Sequence, residues 1–503
     1  MRVLFVAAEA FPLAKTGGLG DVAAALPAAL SERGADVRLL MPGYPRALEM
    51  LAGARTEARI QDLLGVRDGR LVSGWLPGSG VRTWLVDAPA LYQRPGGPYA
   101  DADGREWPDN ALRFSYLSHV GALLALGLAA YWKADVVHAN DWHTGLLPMI
   151  LAQAGARRPR SVFTIHNLAF QGNVPFETAR AVGVPASALT IDGCEFYGRA
   201  SFMKAGIRYA DRVTTVSPTY AREILTPELG CGLDGLLRSR AADLRGVLNG
   251  VATGQWTPAG DPHLPAGFSA RDISGKRACK AALQQELGLP VEPDRPLLGF
   301  ISRLTHQKMA DVLVQALPWL ADQGAQFALV GDGCPELSGA FEAAARSRPE
   351  SLAVRIGYQE PLAHRICAGA DMLLAPARFE PCGLTQLYGM RYGAIPIVRR
   401  TGGLADTVVD ADRRALLSGA ATGFSFQEPT TAGLTRAIRR ALRAYGEPLA
   451  WRRLQRQAMV QDFSWDESAG RYLEIYGEVT GLSAPVRPAA ATAPQQEPLA
   501  ALA

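Results

Sequence analysis

Short apolar runs recur along this chain, each separated from the next by a longer stretch of helical periodicity. In the first half the runs fall at residues 3–7, 37–41, 83–86, 135–138, 161–165, 212–216 and 244–248; in the second half they fall at 297–302, 326–330, 352–356, 372–375 and 394–398. Residues 3–7 and 297–301 are apolar at every position and do not alternate with polar ones. That is the pattern of strands in a parallel sheet covered on both faces. Strands alternating with helices predict α/β architecture with right-handed crossovers. The series breaks near Asn249 and Gly250, residues 257–270 are rich in proline and glycine, and a second series starts at Leu297. The break predicts two doubly wound parallel-sheet domains, 1–248 and 249–462. A last helical pattern at about 463–480 carries Tyr472, Leu473 and Tyr476 on one face. The Ala/Pro-rich tail 483–503 has no aromatic residue and is expected to be disordered.

Length agrees with this division, since 503 residues exceed the roughly 250–300 at which one core stops growing. A net charge of +4 is small for such a chain and supplies no argument for nucleic acid or an anionic membrane as partner. Basic residues that matter should therefore act locally, on a small anion. No apolar run approaches the roughly 20 residues of a membrane span, and the N-terminus lacks a signal-peptide pattern. Cys194, Cys231, Cys279, Cys334, Cys367 and Cys382 form no C-x-x-C pair and no zinc spacing, and read as thiols of a reducing cytosol. These features predict a cytoplasmic protein.

In open α/β sheets, ligands bind beyond the carboxyl ends of the strands, and the suggestive polar residues of this chain sit there. The first run leads to Glu9 and then to Lys15, Gly17, Gly18 and Asp21. Glycines before a helix let backbone amides approach an anion, and Lys15 adds a full charge. The pattern equally suits a plain strand–helix turn with a solvated lysine. The run at 135–138 leads to Asp141 and His143, and the run at 161–165 leads to His166 and Asn167. Arg303 and Lys308 follow the run at 297–302; an Arg–Lys pair there suits a diphosphate, or else two exposed surface cations. Glu380 follows the run at 372–375, just before a helix. It can bind sugar hydroxyls, stabilise positive charge at an anomeric carbon, or simply complement the helix dipole. There is no Walker loop, and no G-x-G-x-x-G after the first strand, which argues against a P-loop enzyme and a dinucleotide enzyme. The two Asp-Ala-Asp triplets, at 101–103 in a polar loop and at 410–412 at an expected helix end, are read as structural.

Together these segments resemble the bacterial glycogen synthase and plant starch synthase family. The most specific stretch is 378–407, Arg-Phe-Glu-Pro-Cys-Gly-Leu-Thr-Gln-Leu-Tyr-Gly-Met-Arg-Tyr-Gly and then Ile-Pro-Ile-Val-Arg-Arg-Thr-Gly-Gly-Leu-Ala-Asp-Thr. Residues 15–21, 140–144, 166–172, 302–308 and 462–465 are similar to the family as well, so the resemblance runs to about residue 480. It implies the GT-B fold, two Rossmann-like domains with an interdomain cleft, and a last helix that rejoins the N-terminal domain. It also implies retaining transfer of glucose from ADP-glucose to the non-reducing end of an α-1,4-glucan, with no metal and no cofactor. On that resemblance Glu380, His166, Lys308 and Arg303 would be catalytic. Lys15, Gly17, Gly18, Asp21, Asp141, Asn249, Gly383, Leu384 and Thr385 would contact or support the substrate. Leu384 and Thr385 would offer backbone amides to phosphate.

Four positions depart from the family pattern. Ala252 stands where the family has Asp, Cys334 follows Gly331-Asp332-Gly333, His306 replaces a tryptophan, and Met309 replaces a glycine. Three other readings stay open at this point. They are a catalytically weak glucan-binding regulatory paralogue, a GT-B enzyme with another donor such as UDP-glucose, and a Rossmann dehydrogenase. No lysine motif for the pyridoxal phosphate of a glucan phosphorylase is present.

Overall fold

The computed structural model describes residues 1–485 apart from Ala130 and Tyr358; most of the expected tail, from residue 486 on, lies outside the described residues. The chain forms two compact units. Met1–Thr164, Phe170–Arg212 and the residues from Asp466 onward make the first, and Ile165–Ala169 with Val213–Trp465 makes the second.

The sheet of the first unit is built from β1 (Arg2–Val6), β2 (Asp36–Pro42), β3 (Ala52–Ile60), β4 (Gly69–Trp75), β5 (Arg82–Asp87), β6 (Val136–Asn140) and β7 (Arg160–Ile165). These run in the order β7-β6-β1-β2-β5-β4-β3. The first five are parallel, while β4 and β3 are antiparallel additions. The hydrophobic pattern has no run for β3 because that strand is exposed along most of its length and needs no apolar side chains. Sheet growth reverses between β1 and β6, so the loops after those two strands, carrying Glu9–Asp21 and Asp141, share a topological switch point. A small sheet of β8 (Asn173–Val174), β9 (Glu195–Phe196) and β10 (Arg199–Ser201) is ordered β8-β10-β9.

The helix Trp465–Thr480 packs within this first unit from Asp466 on. Asp466 accepts two hydrogen bonds from the Arg33 guanidinium, at 2.9 and 2.7 Å. The Tyr476 hydroxyl meets Nδ1 of His138, on β6, at 2.7 Å. Tyr472 and Tyr476 are fully buried, which explains the aromatic face of that helix.

In the second unit β11 (Arg212–Thr215) and β12 (Leu244–Gly246) pair in parallel. The main sheet follows, with β13 (Leu297–Ile301), β14 (Gln326–Gly331), β15 (Leu352–Ile356), β16 (Met372–Ala375), β17 (Ile395–Arg399) and β18 (Phe424–Phe426). All are parallel, in the order β15-β14-β13-β16-β17-β18. This is the doubly wound order 3-2-1-4-5-6, with its switch point between β13 and β16. Leu297, Leu298, Leu373, Leu374, Ile395 and Ile397 are fully buried, as strands covered on both faces require.

Candidate functional site

The switch point of the second unit carries the densest chemistry. Arg303 follows β13, where its guanidinium is exposed and has no hydrogen-bond or carboxylate partner among the described residues. The loop then brings the ammonium of Lys308 onto the carboxylate of Glu380, which follows β16. Glu380 is only 9% exposed, so its charge is held by a partner and not by water. Ser302, Lys308, Glu380, Gly383 and Thr385 line a common cavity of about 20 Å³, room for roughly one water.

Several interactions lock the two loops together. The Arg378 guanidinium donates to both oxygens of Asp311 at 2.8 Å, its amide donates to the carbonyl of Gln307 at 2.8 Å, and the Gln307 side chain donates to the carbonyl of Phe379. Behind them, Thr401-Gly402-Gly403 packs backbone against backbone. The Gly403 amide donates to the carbonyl of Glu380 at 3.1 Å. Gly402 has φ +44°, and a Cβ there would sit 1.8 Å from that same carbonyl oxygen. Only glycine allows this approach. Glu223 holds Gly402 from the other side, accepting from its amide and from the Thr401 hydroxyl. Gly383 also has positive φ, +73°, and leads into the helix Thr385–Arg391 with Leu384 as its N-cap.

The remaining residues predicted for this unit sit as follows. The Asn249 backbone lies against the Cys382 thiol, which burial pushes up to about 12, so Asn249 borders the Glu380 loop. Gly250 leaves no space for a Cβ against Trp465, and the Val251 amide donates to the carbonyl of Phe463 at 2.7 Å. His166 follows β7. It is half-buried by surface area but surrounded by protein atoms, and burial pushes its imidazole down to about 3. It is therefore neutral at pH 7, with one ring nitrogen a donor and the other an acceptor.

In the first unit, Lys15 pairs with Asp21 at 2.8 Å and lies 5.4 Å from the centre of the Phe11 ring. Gly17 is the N-cap of the helix Gly18–Glu32, and a Cβ on it would meet nothing within 4 Å; its amide hydrogen-bonds the Glu9 carboxylate. Asp141 is a non-glycine residue at φ 56° and 8% exposed, a strained conformation of the kind that recurs at functional sites.

Sequence reasoning places Glu9 at a strand end but assigns it no role. It is 2% exposed, and its carboxylate accepts from the Thr16 amide. Burial lifts its pKa to about 7, with the Asp21 charge adding and the Thr16 and Gly17 amides opposing. Tyr99 is partly buried beside both Glu9 and Asp141, and burial, with those two charges adding, raises its hydroxyl well above the ordinary value. The sequence signal for Glu9 was its place at the end of β1; nothing in the sequence brought Tyr99 to it.

The departures from the family pattern also find places. Met309 adopts φ 51° and is fully buried, so the left-handed turn survives without glycine, and burial of the side chain offsets a strain of about 1–2 kcal/mol. The Cys334 amide donates to the carbonyl of Leu304 at 2.9 Å, and a Cβ on Gly333 would clash with Leu304. Asp101 and Asp103 pair with Arg105, and Asp410 pairs with Arg440. Asp412 caps the start of the helix Arg413–Ser418, a helix end as expected. Among the described residues no group of three His, Cys, Asp or Glu is arranged to hold a metal ion.

Comparison with known proteins places this architecture. The family model of the starch synthase catalytic domain matches residues 2–239, and that of glycosyl transferases group 1 matches residues 295–444. A glycogen synthase of Burkholderia thailandensis is 53% identical over 481 residues, spanning 95% of this chain and 90% of its own. One from Paramagnetospirillum magneticum is 50% identical over 484 residues, spanning 96% and 98%. The catalytic domain of starch synthase IV from Arabidopsis thaliana, bound to ADP and acarbose, superposes with a TM-score of 0.86 at 34% identity. That match covers 95% of this chain and 99% of the plant domain. The two Rossmann-like units are thus those of a GT-B glycosyltransferase, and the chain belongs to the glycogen synthase and starch synthase family.

Proposed function

We propose that this glycosyltransferase moves glucose from ADP-glucose to the non-reducing end of an α-1,4-glucan with retention at the anomeric carbon. The observation that carries the reading is the Lys308–Glu380 pair at the switch point of the second sheet. A buried carboxylate fixes the ammonium in advance, so the cation that meets a departing diphosphate needs no reorganisation. Arg303 supplies a second, exposed cation, and the turn from Gly383 through Leu384 to Thr385 supplies amides to the same phosphates. Glu380 also faces the transferred glucose.

His166, neutral because it is buried, donates a hydrogen bond to a sugar hydroxyl without placing positive charge beside an oxocarbenium-like carbon. Lys15, Gly17, Gly18, Asp21, Asp141 and Asn249 complete the substrate contacts. Attack comes from the face the leaving group departs from, with the leaving phosphate taking the acceptor proton, so neither a carboxylate nucleophile nor a metal is required. Residues 1–248 with the helix at 463–480 form the glucan side, and 249–462 form the nucleotide-sugar side. The six free thiols and the absence of a membrane-length helix among the described residues support a cytoplasmic place of work.

The test is incorporation of labelled glucose into glycogen, with ADP-glucose and UDP-glucose offered separately and no metal added. Strong incorporation from ADP-glucose is expected. A preference for UDP-glucose would move the donor assignment, and no incorporation from either donor would overturn the proposal.

A further inference from the structure

A second cavity in the same unit has no part in the proposed transfer. It measures about 500 Å³ and is lined by Arg222, Arg399 and Arg400 with Thr219, Ala405, Asp406 and Gln427. Its volume lies in the range of about 300–1,000 Å³ typical of small-molecule sites. The charges around it do not balance. Asp406 is the one lining carboxylate, and both of its oxygens are taken, by the amide and the hydroxyl of Thr219 at 2.7 and 2.6 Å. Glu223 is nearby but is engaged by Thr401 and Gly402. Among the described residues the Arg222 guanidinium donates only to the Thr219 hydroxyl, at 2.7 Å.

Arg399 donates to the carbonyls of Gln427, Ala377 and Arg378, partners that orient the guanidinium, and the nearby Glu223 carboxylate acts on its charge without a direct ion pair. The exposed Arg400 guanidinium has no hydrogen-bond or carboxylate partner among the described residues. Three arginines thus line a small polar space against two carboxylates, Asp406 in the lining and Glu223 beside it, which leaves a net positive charge. Guanidinium forks match phosphate oxygens bidentately, and Gln427 adds an amide for a neutral hydroxyl.

We propose that this cavity binds a small molecule bearing one phosphate dianion, either a phosphate monoester or orthophosphate itself, separately from the donor site. The test is calorimetric binding of inorganic phosphate and of glucose 1-phosphate to the full chain saturated with ADP. The measurement is repeated on Arg400→Ala, on Arg222→Ala, and on an Arg303→Ala/Lys308→Ala chain that lacks the donor-site cations. One ligand per chain is expected, retained in the double variant and weakened about tenfold or more by Arg400→Ala and by Arg222→Ala. Tighter binding of glucose 1-phosphate would identify an ester as the occupant, and equal affinities would identify orthophosphate. No binding to the ADP-saturated chain, loss of binding in the double variant, or full affinity in both single arginine variants would overturn the proposal. Arg222 and Arg400 are exposed, so their replacement leaves the fold intact, which circular dichroism checks.

Discussion

Lys308 and Glu380 stand 72 residues apart in sequence, yet the ammonium of one rests on the carboxylate of the other. They meet because β13 and β16 are neighbours in the sheet and both loops leave from the same edge. On the proposed mechanism, replacing Glu380 removes a carboxylate from the reacting sugar as well as the anchor from the cation. Glu380→Ala is predicted to lower kcat by about 10²–10³-fold, the usual cost of one preorganised electrostatic group, with circular dichroism unchanged. Steady-state rates on glycogen check this, and near-normal turnover would remove Glu380 from the mechanism.

The backbone contact behind that loop makes its own prediction. Gly402→Ala puts a methyl group 1.8 Å from the carbonyl oxygen of Glu380 at a positive φ, so the loop must shift. A loss of more than about 1 kcal/mol in stability is expected from the conformation alone, together with a fall in activity. Unfolding by urea and a rate measurement on the same preparation test it. An alanine variant with unchanged stability and rate would show that the contact is not required.

Glu9 should write a signature into the pH dependence of stability. Its folded pKa of about 7 lies above the ordinary 4.5, so the native state holds the proton more tightly than the unfolded state does. The stability this contributes is fully present below pH 4.5 and is lost as the pH rises through about 7, by about 3 kcal/mol in total. Glu9→Gln keeps an acceptor for the Thr16 amide and cannot ionise. It should therefore match the parent chain near pH 4.5 and be more stable at pH 8. Equal stability of the two chains at pH 8 would refute this.

His166 should be silent over the range where histidines ordinarily titrate. With its pKa pushed down to about 3 by burial, its ring resonances should not move between pH 5 and pH 8. Histidine-selective labelling followed by NMR, with His166→Gln to assign the signal, tests this. A midpoint near 6.5 for that signal would contradict the neutral-donor role.

Much of this arrangement could be read in the sequence because buried parallel strands must be apolar throughout, and because chemistry gathers where such strands end. That logic pointed to Lys15, Asp141, His166, Arg303, Lys308 and Glu380 before any geometry. It failed where the controlling contact is made by polar or distant residues. The exposed strand β3 has no hydrophobic signal to detect. Glu9 looked like one loop carboxylate among many until Tyr99 and the Thr16 amide were seen around it. The glycines at 402 and 403 were visible as letters, but their reason, a carbonyl 22 and 23 residues earlier in the chain, was not. Met309 shows the converse, a left-handed turn made without the glycine that the family pattern led one to expect.

The lacing of Arg378 to Asp311 and of Gln307 to Phe379 has a practical consequence for engineering. Residues 306–311 and 377–383 behave as one cassette. Either loop transplanted alone from a relative brings half of a matched pair, and such a chimera inherits a misplaced Lys308 ammonium. Libraries aimed at nucleotide preference should therefore vary both segments together, drawing each pair from one parent.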